Sequence, residues 1–275
     1  MKKLLPFFLL LQAIAAQAQL PDHIYKSNIH AVKLYRSGDV YSYPVLTMTG
    51  NEQLELHFDD MDADVKYYYY SFQLCNADWT PANLQTFDYI RGFQSNRISN
   101  YRSSSIAQTR YTHYQAFLPE RNSAPTRGGN YLLKVFLNDD TTKLVFTKRF
   151  LVVNTKATVS AQVMQPFNGN FFQTHQRVQV SVSTVQGQIT TFSPQDLKVM
   201  VIQNGIWGNS TVIDRPTIFR GNYYEYSDEE NTTFPAGKEW RWIDLRSLRL
   251  MSDRMEKLVD SDTTNRIDVY VKPDG

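Results

Sequence analysis

The chain has 275 residues, with 29 lysines and arginines against 27 aspartates and glutamates, and 13% of its residues are aromatic. This near balance of charge argues against a nucleic-acid binder, which would carry a basic excess or a basic face. Cys75 is the only cysteine, so an intrachain disulfide is excluded and the fold must hold without covalent staples.

The N-terminus reads as a secretory signal. Lys2 and Lys3 precede an apolar run over residues 4–11, and Ala16-Gln17-Ala18 forms a small-x-small cleavage site. The run is far shorter than the roughly 20 residues that cross a bilayer, so removal is expected rather than retention as an anchor. Lys2 and Lys3 are the only charged residues in 1–18, so cleavage leaves 27 basic and 27 acidic groups. No cysteine follows the cleavage site to carry a lipid, and no later run is apolar enough to be a transmembrane helix. In a cell with two membranes this places the mature chain in the periplasm.

Strand signals dominate the rest of the chain. In 54–58, Leu54, Leu56 and Phe58 share one face. The runs 67–74, 111–118, 130–137, 143–153, 159–163, 177–185 and 196–204 are also strand-like, and Val178, Val180 and Val182 alternate with polar residues at period two. Turn residues separate the runs at Thr49-Gly50-Asn51, Arg127-Gly128-Gly129-Asn130, Asn138-Asp139-Asp140 and Phe167-Asn168-Gly169-Asn170. No apolar stripe of helical period lasts three turns. The expected class is all-β: an antiparallel, immunoglobulin-like sandwich over residues 19–154, then a second β-rich domain over 155–275. That second block reads as incomplete, because its closing strand-like run, Arg266 to Val271, has no evident partner after it.

Residues 75–106 form a turn-rich segment that is long for a connection. It is either a binding loop or a loop packed on the sandwich by its own aromatics. On the first reading, Trp79, Tyr89, Phe93, Arg97 and Tyr101 are the candidate partner contacts, because tyrosine, tryptophan and arginine are typical interface anchors.

The chemistry-bearing residues form no enzyme motif. Asp60-x-Asp62-x-Asp64 starts like a calcium loop, but Val65 and Ser71 stand where that loop needs glycine and glutamate. Asp59, Asp60, Asp62 and Asp64 therefore read as a solvated turn, and no spacing singles out a glycosidase carboxylate pair. The five histidines, His23, His30, His57, His113 and His175, show no metal-ligand spacing, and His113 reads as a satisfied strand histidine. Cys75, at the end of an apolar strand, reads as a small buried thiol. There is no nucleophile elbow, phosphate loop or dinucleotide fingerprint. No catalytic, cofactor or metal residue is therefore expected. Trp79, Trp207, Trp240 and Trp242 would serve a glycan-binding module, although Trp240-x-Trp242 reads more readily as a core face.

Five phrases carry a family resemblance: Leu56-His57-Phe58-Asp59-Asp60, Leu74-Cys75-Asn76-Ala77-Asp78-Trp79, Tyr111-Thr112-His113-Tyr114 with Leu118-Pro119, Gly129-Asn130-Tyr131, and Phe146-Thr147-Lys148-Arg149-Phe150. In this order they resemble the type IX secretion system plug protein family of Bacteroidetes, from about Ile29 to Val153 and more weakly through Trp240-Arg241-Trp242-Ile243-Asp244. The resemblance implies an N-terminal β-sandwich and a periplasmic location. It also implies docking on the periplasmic mouth of the outer-membrane translocon barrel, closing its pore when no substrate passes. It implies no catalytic residues, and family members are usually longer than this chain.

Overall fold

A computed structural model describes residues 21–48, 50–184, 193–236, 243–252, 254–261 and 266–272. The signal segment and the Trp240-x-Trp242 pair lie outside the described residues. The chain divides between Thr155 and Lys156 into two compact units.

The described residues of the first unit form eleven strands: β1 (Ile29–Arg36), β2 (Val45–Thr47), β3 (Leu54–Asp60), β4 (Tyr68–Cys75), β5 (Ile90–Gly92), β6 (Asn96–Arg97), β7 (Asn100–Ser103), β8 (Thr112–Leu118), β9 (Ser123–Pro125), β10 (Gly129–Leu137) and β11 (Leu144–Val153). They form a four-stranded sheet in the order β1-β3-β8-β7, a five-stranded sheet in the order β2-β11-β10-β4-β6, and a small β5-β9 ribbon. All pairings are antiparallel except that of the edge strand β2, which runs parallel to β11.

The sequence pattern explains why these sheets stack. In β3, Leu54, Leu56 and Phe58 are buried while Glu55, His57 and Asp59 alternate onto the opposite face, as the two-residue period of a strand requires. In β4, Tyr68, Tyr70, Phe72 and Leu74 form the matching apolar face. One hydrophobic core joins both sheets: Leu56, Phe58 and Tyr114 from the first meet Tyr68, Tyr131, Val135, Phe146 and Phe150 from the second. Aromatic rings dominate it. Phe58 stacks on Tyr114 at 5.0 Å between centroids and meets Tyr68 edge-on at 5.0 Å, geometries that add about 0.5–1.5 kcal/mol per pair beyond burial. This is the all-β sandwich that the strand pattern predicts.

The 75–106 segment is folded rather than free. It supplies β5, β6 and β7, and it buries Tyr89, Ile90 and Ile98 in the same core. Gly92 makes this possible. It holds φ at +92°, and a Cβ there would sit 2.0 Å from the Asn122 carbonyl oxygen. Only glycine allows β5 and the chain before β9 to approach so closely.

The second unit is also strand-rich: β12 (Ala157–Met164), β13 (His175–Thr184), β14 (Val199–Ile202), β15 (Ser210–Ile213), β16 (Ile218–Arg220), β17 (Tyr223–Tyr226), a four-residue helix α1 (Glu229–Thr232), β18 (Thr233–Pro235), β19 (Met255–Ser261) and β20 (Arg266–Val271). Its sheet runs β12-β13-β17-β16, with β18 also on β13. A small core of Val180, Val182, Ile213, Tyr224 and Tyr226 lies beneath it. The run from Arg266 to Val271, β20, pairs antiparallel with β19, which precedes it in the chain.

Candidate functional site

The phrases singled out in the sequence gather at two places on the first unit. Leu56-His57-Phe58-Asp59-Asp60 and Tyr111-Thr112-His113-Tyr114 lie side by side, because β3 pairs with β8 in a register that sets Asp59 opposite His113 and His57 opposite Gln115. On the outward face of this pair, four side chains form a continuous chain. Asp59 Oδ1 lies 2.6 Å from His113 Nδ1, His113 Nε2 lies 2.9 Å from His57 Nδ1, and His57 Nε2 lies 2.8 Å from Glu55 Oε1. Gln115 Nε2 donates to the same Glu55 oxygen at 2.7 Å, and Tyr35 stacks on the His57 ring at 5.6 Å.

Tyr35, His57, Asp59 and His113 border a cleft of about 510 Å³, also lined by Lys33, Arg102, Ser104 and Tyr111. A β-bulge between His30 and Lys33 shapes one wall, and Ala31 within it holds φ at +50°. The extra residue places Lys33 rather than Val32 opposite His57, which is how a bulge re-aims side chains beside a site. No histidine spacing in the sequence signals this arrangement. The signal is positional: His57 and Asp59 share a strand face, and so do His113 and Gln115.

The acidic cluster beside it corrects the expectation of a solvated turn. Asp60 is fully buried at the end of β3. Its carboxylate accepts hydrogen bonds from Lys66 Nζ (2.8 Å), Tyr68 Oη (2.8 Å), Asn28 Nδ2 (2.6 Å) and the Asp62 backbone N–H (3.0 Å). Burial alone would raise its pKa, but these four donors together hold it below the ordinary aspartate value. The Lys66 ammonium also contacts Asp62, and it lies 3.1 Å from Asp64. Asp60, Asp62 and Asp64 are near enough to share a cation, and the Lys66 ammonium is the cation they share.

The second gathering is at the end of β4. Cys75-Asn76-Ala77-Asp78-Trp79 turns tightly: Asn76 N–H donates to the Thr80 carbonyl at 2.8 Å, and Asp78 Oδ1 accepts from the Thr80 N–H and hydroxyl at 3.0 and 2.6 Å. Asn130, from Gly129-Asn130-Tyr131, donates to the Asn76 carbonyl at 3.1 Å. Arg149, from Phe146-Thr147-Lys148-Arg149-Phe150, lies over the Trp79 ring at 5.0 Å and pairs with Asp22 at 3.2 Å. Trp79 holds φ at +67°, a conformation that bulky residues rarely adopt.

The five candidate partner contacts separate by burial. Phe93 is 63% exposed and Tyr101 43% exposed. Arg97 is exposed and lies over the Tyr67 ring at 4.2 Å. Trp79 is half-buried under Arg149. Tyr89 is only 4% exposed, so it is a core residue that pins the segment down rather than a surface anchor. Leu84, Phe87 and Ile106, which the sequence did not single out, are also exposed on this segment. Cys75 is buried, and burial pushes its thiol up to about 11, as expected of a packed thiol and unlike a nucleophile. Trp207 is half-buried in the second unit.

No helix among the described residues is long and apolar enough to cross a membrane. No protein of curated function matches the chain. Among solved structures, the chain is similar to a hypothetical protein from Parabacteroides merdae ATCC 43184, with 27% sequence identity and a TM-score of 0.80. The similarity covers 93% of this chain and 64% of that one, so this chain spans under two thirds of that relative's length. Residues 29–154 match the family model described as type 9 secretion system plug protein 1st domain. These limits coincide with the sandwich unit from the start of β1 to the end of β11, and the match ties that unit to type 9 secretion. Over residues 29–154 the chain is therefore similar to the first domain of type 9 secretion system plug proteins.

Proposed function

We propose that the mature chain is a non-enzymatic periplasmic protein that docks on the periplasmic side of the type 9 secretion outer-membrane translocon barrel and seals its pore. The observation that carries this reading is the family match over residues 29–154. The surface of the sandwich supports it. Leu84, Phe87, Phe93, Tyr101 and Ile106 are all exposed within one short stretch of chain, where a monomer would ordinarily scatter such side chains. A rigid sandwich presenting aromatic and arginine contacts suits a reversible interface, which is large but less apolar than a core.

The test is affinity purification of the tagged full chain from envelope membranes, paired with a deletion strain. The reading expects the translocon barrel among the co-purified proteins, and a deletion strain permeable to large antibiotics that the outer membrane normally excludes. Recovery of proteins from outside the envelope alone, with an unchanged permeability barrier, would overturn it.

A further inference from the structure

We propose that His57 and His113 are the protein ligands of an open, two-imidazole site for a divalent transition-metal ion of the zinc class. Glu55 and Asp59 are carboxylates, which only accept hydrogen bonds when ionised. His57 Nε2, 2.8 Å from Glu55, and His113 Nδ1, 2.6 Å from Asp59, must therefore each carry the ring proton. That fixes both tautomers and leaves a lone pair on His57 Nδ1 and on His113 Nε2. Those two nitrogens face each other at 2.9 Å. Two lone pairs so close require an electrophile between them, a shared proton in the metal-free protein and a metal ion when one is bound.

A metal ion fits this position. With zinc–nitrogen bonds of about 2.0–2.1 Å, two imidazoles on a tetrahedral ion stand about 3.3 Å apart, so the rings must part by a few tenths of an ångström and tilt until both lone pairs converge on the ion. A carboxylate on the far nitrogen of each ligating histidine is the arrangement that orients metal-bound imidazoles and raises their basicity. Here both histidines have one, and Gln115 in turn holds Glu55 at 2.7 Å. Tyr35, stacked on His57, fixes the plane of that ring.

The remaining coordination positions face the cleft of about 510 Å³, where water or an external ligand completes the sphere. Lys33 and Arg102 line the same cleft and offset the charges of Glu55 and Asp59, which favours an exchangeable ion over a permanently held one. The acidic trio Asp60, Asp62 and Asp64 does not compete for the ion, because Lys66 Nζ already lies 2.8 Å from Asp60 and 3.1 Å from Asp64. This inference is independent of the docking reading.

The experiment titrates the full mature chain, freed of any histidine tag, with zinc(II) against a chromophoric chelator. One ion is expected per chain, released by EDTA. His57→Gln and His113→Gln should each abolish uptake, and Asp59→Asn should weaken it about 10–100-fold, the usual cost of losing such an orienting carboxylate. His30→Gln and His175→Gln should leave it unchanged. A second readout needs no variant: the electron paramagnetic resonance spectrum of the copper(II)-loaded wild type should show coupling to two imidazole nitrogens. Absence of saturable zinc uptake would overturn the proposal, as would uptake indifferent to both glutamine variants or a copper spectrum without that coupling. Nitrogen-15 shifts showing the two rings sharing a proton, unmoved by added zinc(II), would also overturn it and assign the position to a proton.

Discussion

Lys66 Nζ lies 2.8 Å from Oδ2 of Asp60, a carboxylate with no solvent exposure at the end of β3. The pair anchors the β3–β4 connection into the core, because Tyr68, the first residue of β4, donates to the same oxygen. Removing one partner of a buried ion pair leaves an uncompensated charge, at a cost of roughly 3–5 kcal/mol. Lys66→Met should therefore destabilise the first unit by about 3 kcal/mol, toward the lower end of that range because Tyr68, Asn28 and the Asp62 N–H remain. Chemical denaturation measures the change. Adding Asp60→Asn to Lys66→Met should recover part of the loss, which a double-mutant cycle would show.

The same pair sets a pH window. The Asp60 pKa is depressed in the folded state, so its contribution is present above the ordinary aspartate value and disappears as pH falls through the depressed one. Burial would lower the Lys66 pKa, but its three carboxylate partners raise it. Its contribution is therefore present below the ordinary lysine value and lost only as pH rises through the raised one. Thermal melts should show a plateau between about pH 4 and pH 10 that falls at both ends. In Asp60→Asn the acid edge should flatten.

Burial divides the five candidate contacts into two mutational classes. Tyr89→Ala empties a core position and should cost about 3–5 kcal/mol of stability. Phe93→Ala, Arg97→Ala and Tyr101→Ala should leave the melting temperature nearly unchanged while reducing recovery of the translocon barrel in affinity purification. An interface anchor typically costs more than about 1 kcal/mol of binding when truncated. If all three exposed variants retain full recovery, this segment is not the docking surface.

Gly92→Ala combines a left-handed φ of +92° with a Cβ 2.0 Å from the Asn122 oxygen. Left-handed strain of about 1–2 kcal/mol adds to overpacking of about 1–3 kcal/mol. The variant should be destabilised by about 2–5 kcal/mol, with faster amide exchange in β5 and β9 than in β10 and β11.

Cys75 should be slow to alkylate. Its thiol is pushed up to about 11 by burial, so at pH 8 the native protein should react with iodoacetamide at least ~100-fold more slowly than the unfolded chain. Reaction at the unfolded rate would show that the end of β4 opens readily.

How much of this was legible in the residues depends on what each signal measures. Strand signals marked 54–58, 130–137 and 177–185, by alternation at 54–58 and 177–185 and by a strand-like run at 130–137, and the strands observed there are Leu54–Asp60, Gly129–Leu137 and His175–Thr184. β1 escaped notice because the bulge at Ala31 breaks its alternation. The strands between Ser210 and Pro235 are three or four residues long, too short to show a period. The sequence therefore determined the class, the all-β pattern, the solitary thiol and the family resemblance over the first unit. These depend on local order along the chain.

Only the tertiary structure decided which distant residues meet. Asp59, Asp60, Asp62 and Asp64 read as a solvated turn, yet the register of β3 carries Asp60 into the core and Lys66 returns to it. Trp79 and Arg149 meet because β10, between β4 and β11, brings the ends of those strands together. His57 and His113 lie 56 residues apart in sequence and touch because β8 pairs with β3 in one register. A shift of a single residue would turn one of them toward the opposite face. Strand pattern says which face a side chain takes; pairing register alone says what it finds there.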